Sequence, residues 1–102
     1  MWYISTFEAK ANTTSLEIKR EREEWIRQEK DKAMMRKCRT VHRYEVLGKS
    51  PLKVFFIIET DEPGVLTLLS RHFGNAWDSA SYPIIQREIC EALEEDHTII
   101  GG

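Results

Sequence analysis

The fold depends most on residues 52–60, Leu-Lys-Val-Phe-Phe-Ile-Ile-Glu-Thr, which contain the longest apolar run of the chain. Five successive aromatic and β-branched side chains, from Val54 to Ile58, are typical of a buried strand and too few for a buried helix. Because neighbouring side chains of a strand point to opposite faces of the sheet, both faces of this strand are apolar. The run therefore predicts a central strand that is covered on each side.

The flanking sequence predicts three more strands. Residues 40–47 alternate along a strand, and Gly48-Lys49-Ser50-Pro51 supplies a turn, so residues 40–60 are predicted to form a hairpin. Aromatic and β-branched residues 2–7 predict an opening strand. The last strand is predicted over residues 80–87 after an irregular lead-in at 77–79, with Pro83 tolerated only at a sheet edge or bulge.

A long first helix is predicted over residues 16–37, which contain neither Gly nor Pro. Thr14 and Glu17 match a capping box at its start. Its apolar stripe is thin and is interrupted by two charged residues; the stripe consists of Ile18, Trp25, Ile26 and Ala33, and the charged residues are Arg22 and Glu29. Either their stems lie along apolar surface while the charged ends reach water, or both residues line a cleft between helix and sheet.

A second helix is predicted from Asp61, as N-cap, through Phe73, with Pro63 in the first turn; residues 89–95 also have helical composition. The order strand, helix, strand, strand, helix, strand is that of the ferredoxin-like α+β arrangement, βαββαβ, in which two helices cover one face of a four-stranded antiparallel sheet. The other face would then expose an apolar patch of a size that soluble monomers rarely carry. Two-fold dimerisation through that face is the economical prediction.

Length and charge favour one cytoplasmic domain, residues 1–102, with a core at about 1–88 and a tail at 89–102. The 15 Lys and Arg nearly balance the 17 Asp and Glu, and the basic residues of the first half alternate with Glu as in a charge-paired helix. No nucleic-acid-binding motif accompanies them. No apolar run is long enough for a membrane span, no signal peptide is recognised, and two cysteines, Cys38 and Cys90, do not define a disulfide scaffold.

The pattern resembles the dimeric α+β barrel superfamily, particularly its small uncharacterised single-domain members and the related muconolactone isomerases. The resemblance covers about residues 1–88 and is carried by five stretches: Met1-Trp2-Tyr3-Ile4, the charged first helix, Thr40-Val41-His42-Arg43-Tyr44, residues 55–63, and Trp77-Asp78 before Tyr82-Pro83-Ile84-Ile85. It implies two sheets packed face to face across a homodimer, with a pocket between sheet and helices in each subunit.

Candidate site residues follow from strand alternation. His42 and Tyr44 share one face of their strand, and Arg43 and Glu45 share the other. If the His42 face is the helix side, His42 and Glu29 are candidates for acid–base chemistry. The substrate would then be bound by Tyr3, Ser5, Arg22, Trp25 and Tyr44. If it is the dimer side, His42 and Tyr44 are interface packing instead.

Other constellations favour a simpler interpretation. The Cys and His residues lack the close pair spacings of a zinc site, and the scattered glycines form no phosphate loop, so neither a metal nor a cofactor is predicted. Asp61-Glu62-Pro63-Gly64-Val65-Leu66 resembles the turn of ACT amino-acid sensors but stands too late in the chain. Gly101-Gly102 resembles the tail of ubiquitin-like carriers, whose strand order differs.

The sequence thus predicts a small homodimeric protein that binds or isomerises a small organic molecule in a helix–sheet cleft. The alternative is a non-catalytic dimerisation or interaction module. The residues do not decide whether the chain is an enzyme.

Overall fold

The computed structural model describes residues 1–48 and 51–101, which form a four-stranded antiparallel sheet and four helices. The α+β class is therefore confirmed. The strands are β1 (Trp2–Ala9), β2 (Cys38–Glu45), β3 (Lys53–Thr60) and β4 (Trp77–Ile84), and the helices are α1 (Ser15–Arg27), α2 (Lys30–Lys37), α3 (Gly64–His72) and α4 (Ile89–Gly101). The spatial order β2-β3-β1-β4 is compatible with the ferredoxin-like arrangement.

The core lies between one face of the sheet and the helices α1, α2 and α3. Alternate side chains of the two central strands supply the sheet side, with Phe7, Val54 and Ile58 at most 4% exposed. Trp25 of α1 and Leu69 of α3 cover them and are also buried. One side of β3 is therefore buried beneath helices, as its apolar run predicts.

The predicted single helix over residues 16–37 is wrong, because the chain breaks it between α1 and α2. Glu29 adopts a left-handed conformation with φ 56° and ψ 25°. Its N–H donates to Ile26 O three residues back, and its own carbonyl accepts from Ala33 to start the next helix. Trp25 and Met34 are nine positions apart, about half a turn out of phase in a straight helix. The break lets both side chains face the core, where both are buried.

The predicted N-cap of α1 is confirmed, whereas the predicted N-cap of α3 is wrong. The Thr14 hydroxyl accepts from the Glu17 N–H, and the Glu17 carboxylate accepts from the Thr14 N–H, so the capping box is confirmed. Pro63 is the residue that caps α3, without a side-chain hydrogen bond. Asp61, predicted as that cap, instead accepts a hydrogen bond of 2.7 Å from Arg39.

Strand ends also differ from the prediction. Trp77 already pairs with Ala9, so residues 77–79 belong to β4, which ends at Ile84. Pro83 lies in this strand, and β4 is at the edge of the sheet, where a missing N–H is tolerated. At the predicted hairpin turn, Gly48 has φ 69°, while Lys49 and Ser50 lie outside the described residues.

The core helices α1, α2 and α3 pack on one face of the sheet and leave its other face uncovered among the described residues. Register assigns its side chains: Ile4 pairs with Ile57, which pairs with His42, and Phe55 pairs with Tyr44. We call this surface the open face. Tyr44 stacks on Phe55 with ring centroids 5.1 Å apart. Of the five-residue apolar run of β3, two side chains therefore lie on this face.

The terminal helix α4 runs to Gly101 rather than ending near residue 95. Its large apolar side chains are exposed; they are Ile89, Leu93, Ile99 and Ile100. The radius of gyration is 16.8 Å, against about 13 Å for a compact chain of this length. The helix therefore projects from the layered part of the molecule. The predicted diglycine tail ends at Gly102, outside the described residues.

Candidate functional site

A cavity of about 260 Å³ lies between the sheet and the helices α1 and α2. Its floor consists of residues from β1, β2 and β3, and α3 and β4 close one end. We call this space the cleft. Residues on both sides of the helix break line it, from Ile18 of α1 to Met35 of α2.

Apart from three charged residues, the cleft is lined by apolar side chains, of which five are aromatic and six are aliphatic or Met. Among the aromatic residues, Phe7 makes edge-on contacts to Phe56 at 5.6 Å, Phe73 at 6.3 Å and Trp77 at 6.4 Å between ring centroids. Trp25 covers Phe73 from the helix side, with 5.2 Å between the ring centroids. Such walls favour a flat apolar ligand.

Three charged residues also line the cleft: Arg22 of α1, Asp31 of α2 and Arg43 of β2. Arg43 forms an ion pair of 2.8 Å with Glu45. The Oδ1 atom of Asp31 is buried and has no hydrogen-bond partner among the described residues. A buried oxygen of this kind is costly unless a donor reaches it.

A hydrogen-bonded histidine supports one wall of the cleft. His72 Nε2 donates to the carbonyl of Glu21 at 2.8 Å, which leaves Nδ1 of the neutral ring to accept from Lys30 Nζ at 3.0 Å. The ring lies 5.1 Å from that of Trp25. Both nitrogens are thus satisfied, which fits a packed, structural role for this histidine. His72 fixes the position of Trp25.

The Glu21 carboxylate lies close to this histidine. Neither of its oxygens forms a hydrogen bond of good geometry among the described residues, although the backbone of Ala76 lies near enough to favour the charged form. Burial raises the pKa of Glu21. The carboxyl group thus binds its proton more tightly in the folded chain than in water.

Four of the predicted site residues lie on the helix side of the sheet or on α1. Arg22 and Trp25 line the cleft. Tyr3 and Ser5 share the sheet face of Phe7 but are not part of the lining, and the Ser5 hydroxyl is bonded to that of Ser81 at 2.8 Å. The structure thus brings two of these four residues to the cleft.

The remaining three predicted residues do not meet there. Val41 and Arg43 line the cleft, so His42 and Tyr44, which alternate with them, point to the open face. Glu29 lies in the turn between α1 and α2, on the opposite side of the sheet, with its side chain 70% exposed beside Lys32. His42 and Glu29 are therefore separated by the sheet, whereas proton transfer needs contact at about 3 Å or one bridging water.

Asp31 and Arg43 are lining residues that sequence reasoning missed. The alternation that paired His42 with Tyr44 also pairs Val41 with Arg43, so choosing the other face would have identified Arg43. Asp31 offered no comparable signal, because in the expected continuous helix it was one charge among many. The helix break is what turns it toward the cleft.

Cys38 is a partly buried free thiol. Burial raises its pKa, and the charge of Glu62 adds to this, so the thiolate needed for nucleophilic chemistry is disfavoured.

In the described ranges, no three His, Cys, Asp or Glu residues are grouped so that they could hold a metal ion. No helix in the part of the chain that the structure describes is long and apolar enough to cross a membrane.

No protein-family model matches the chain, and comparison with curated proteins also finds no match. The resemblance to the dimeric α+β barrel superfamily thus stays a prediction from the sequence pattern.

Proposed function

We propose that the chain binds a small, mainly apolar organic molecule in the cleft. The observation that carries this proposal is the mainly apolar cavity of about 260 Å³ between sheet and helices, with five aromatic residues in its lining. An apolar cavity of 150 Å³ accommodates benzene, so in proportion this one holds about ten non-hydrogen atoms. Proton transfer by His42 and Glu29 is not part of the proposal, because they lie on opposite sides of the sheet.

We further propose that the subunits are ferredoxin-like and form a dimeric α+β barrel by packing their open faces together in the cytoplasm. Four strands of eight residues cover roughly 500 Å² in projection. With side-chain relief added, that approaches the 800 Å² or so that each partner buries in a standard interface. A second copy supplies the same half-buried apolar side chains, Ile4, Phe55 and Ile57 among them, as its own cover.

The ligand proposal is tested with trifluoromethylbenzene, a neutral probe that matches the estimated size of the cleft. We expect its ¹⁹F resonance to broaden on titration with the protein. Val41→Phe places extra atoms in the cleft and is expected to abolish the broadening, whereas Val46→Phe, the same change outside the lining, is expected to preserve it. No broadening with the native chain, or equal effects of both substitutions, would overturn the proposal.

The dimer proposal is tested by sedimentation equilibrium at micromolar concentration. Ile57→Lys introduces a charge on the open face and is expected to give monomers. Ile26→Lys makes the same change at a residue of α1 that is 57% exposed and is expected to leave the dimer intact. Circular dichroism establishes that both variants are folded. A monomeric native chain would contradict the proposal.

The interaction module remains a second candidate because of α4. A 13-residue helix with exposed apolar side chains is marginal in water by itself. Deleting residues 89–102 is expected to leave binding of the ¹⁹F probe unchanged if the cleft carries the function. Loss of self-association together with an empty cleft would favour the interaction module.

A further inference from the structure

The cleft carries two opposite charges that have no counter-ion within residues 1–48 and 51–101. Arg22 and Asp31 both line it, and among the described residues neither side chain forms an ion pair. Arg43, the third charged lining residue, is already paired with Glu45. A ligand that meets both free charges must therefore offer an anion to the guanidinium and a donor or cation to the carboxylate.

Asp31 provides the sharper constraint of the two. Its Oδ1 atom is buried without a hydrogen-bond donor, whereas the Arg22 side chain is exposed at the rim. A buried carboxylate oxygen is best satisfied by a charged N–H donor, such as an ammonium group. Neutral apolar molecules would leave the Asp31 carboxylate without a donor, and a simple carboxylate would be repelled by it.

The rest of the cleft selects the body of the ligand. Five aromatic side chains line it together with aliphatic and Met side chains; the aromatic residues are Phe7, Trp25, Phe56, Phe73 and Trp77. A benzyl group has seven carbons, which fits a space for about ten non-hydrogen atoms.

We propose, on the basis of the ligand-binding function above, that the cleft binds a free α-amino acid with an aromatic side chain. Its carboxylate pairs with the Arg22 guanidinium, its ammonium group donates to Asp31, and its ring enters the aromatic part of the cleft. The zwitterion neutralises both unpaired charges at once, and neither an amine nor an acid alone does so.

The test uses calorimetric titration with four probes that share one ring: phenylalanine, 2-phenylethylamine, 3-phenylpropionate and toluene. We expect phenylalanine to bind at least tenfold more tightly than each of the others. Asp31→Asn is expected to weaken phenylalanine and 2-phenylethylamine at least tenfold but not 3-phenylpropionate. Arg22→Gln is expected to weaken phenylalanine and 3-phenylpropionate but not 2-phenylethylamine.

Matched controls separate these effects from a general change in charge. Arg20→Gln on α1 and Asp78→Asn on β4 make the same chemical changes outside the lining and are expected to alter no affinity more than twofold. Equal binding of all four probes, or tighter binding of 3-phenylpropionate than of phenylalanine, overturns the amino-acid proposal while the cleft remains a binding site. Binding of no probe overturns both proposals.

Discussion

Glycine at residue 29 is expected to give a more stable fold than alanine there, although glycine within a helix is normally the less stable of the two. Glu29 has φ 56°, and a Cβ in the left-handed region costs roughly 1–2 kcal/mol. Glycine removes this cost but gains freedom in the unfolded chain, which offsets about 0.4–1 kcal/mol. The balance predicts that Glu29→Gly is more stable than Glu29→Ala by about 0.5–1 kcal/mol.

Alanine is the appropriate reference because Glu29 also pairs with Lys32 at 3.3 Å. Both side chains are at least 65% exposed, and such pairs contribute at most about 1 kcal/mol. Each substitution removes the same carboxylate, and only alanine keeps the Cβ. The comparison therefore isolates the backbone conformation.

The assay is urea unfolding of both variants at one protein concentration, since self-association would otherwise shift the midpoints. Gln28 is the control position, because its φ of −83° suits any L residue. There, glycine is expected to be less stable than alanine by about 1 kcal/mol. A continuous helix over residues 16–37 predicts this same order at Glu29. A glycine variant at residue 29 less stable than its alanine counterpart would thus refute the helix break.

Burial raises the pKa of Glu21, so its ionisation costs stability as the pH rises through that pKa. In denaturant titrations at pH 7, Glu21→Gln is expected to raise the free energy of unfolding by less than about 1 kcal/mol, because solvent screens this site. Below about pH 4, where the carboxyl group is protonated in both states, the substitution is expected to have no effect. An equal gain at both pH values would contradict this. Thr14→Ala is expected to cost about 1 kcal/mol in the same assay through loss of the capping box, and no loss would mean that the cap is unimportant. Burial also raises the pKa of Cys38, so iodoacetamide is expected to modify Cys38 more slowly than the exposed Cys90. The two rates are measured separately in the variants Cys90→Ser and Cys38→Ser, each of which keeps one cysteine. The reverse order would be inconsistent with a partly buried thiol at Cys38.

Sequence reasoning succeeded where a periodicity had one physical cause. The apolar run of β3 predicted a central strand because a two-sided apolar pattern fits few other environments. The capping box predicted the start of α1 because both hydrogen bonds are local and need no tertiary contact. Local patterns of this kind determine elements, and most of the fold class followed from their order.

The helix break could not be predicted in the same way. Left-handed turns are usually marked by Gly or Asn, and here the position is Glu29, within a sequence of good helix formers. The left-handed turn is stabilised only by packing against the sheet, because it allows Trp25 and Met34 to be buried on the same side. The half-turn offset between these two residues was the available signal, and it becomes informative only when both are known to be buried.

The prediction of the site residues was only partly correct, because the sequence does not show which face of β2 packs against the helices. Alternation correctly separated His42 and Tyr44 from Arg43, but it could not determine which set faces the helices. Because β3 is apolar on both sides, neither face of its neighbour β2 is marked as the interior. The choice of the His42 face led to an acid–base pair with Glu29 that the sheet separates.

That same two-sided strand also connects the two proposed roles of the chain. Phe56 contributes to the floor of the cleft, while its neighbours Phe55 and Ile57 point to the open face. Ligand binding and self-association would therefore act on opposite sides of a single strand, with the backbone of β3 common to both. Substitutions at Val41 and Ile57 change one face each, since the two side chains point in opposite directions across the sheet. The cleft and the open face can thus be tested separately, even though they share the central strand.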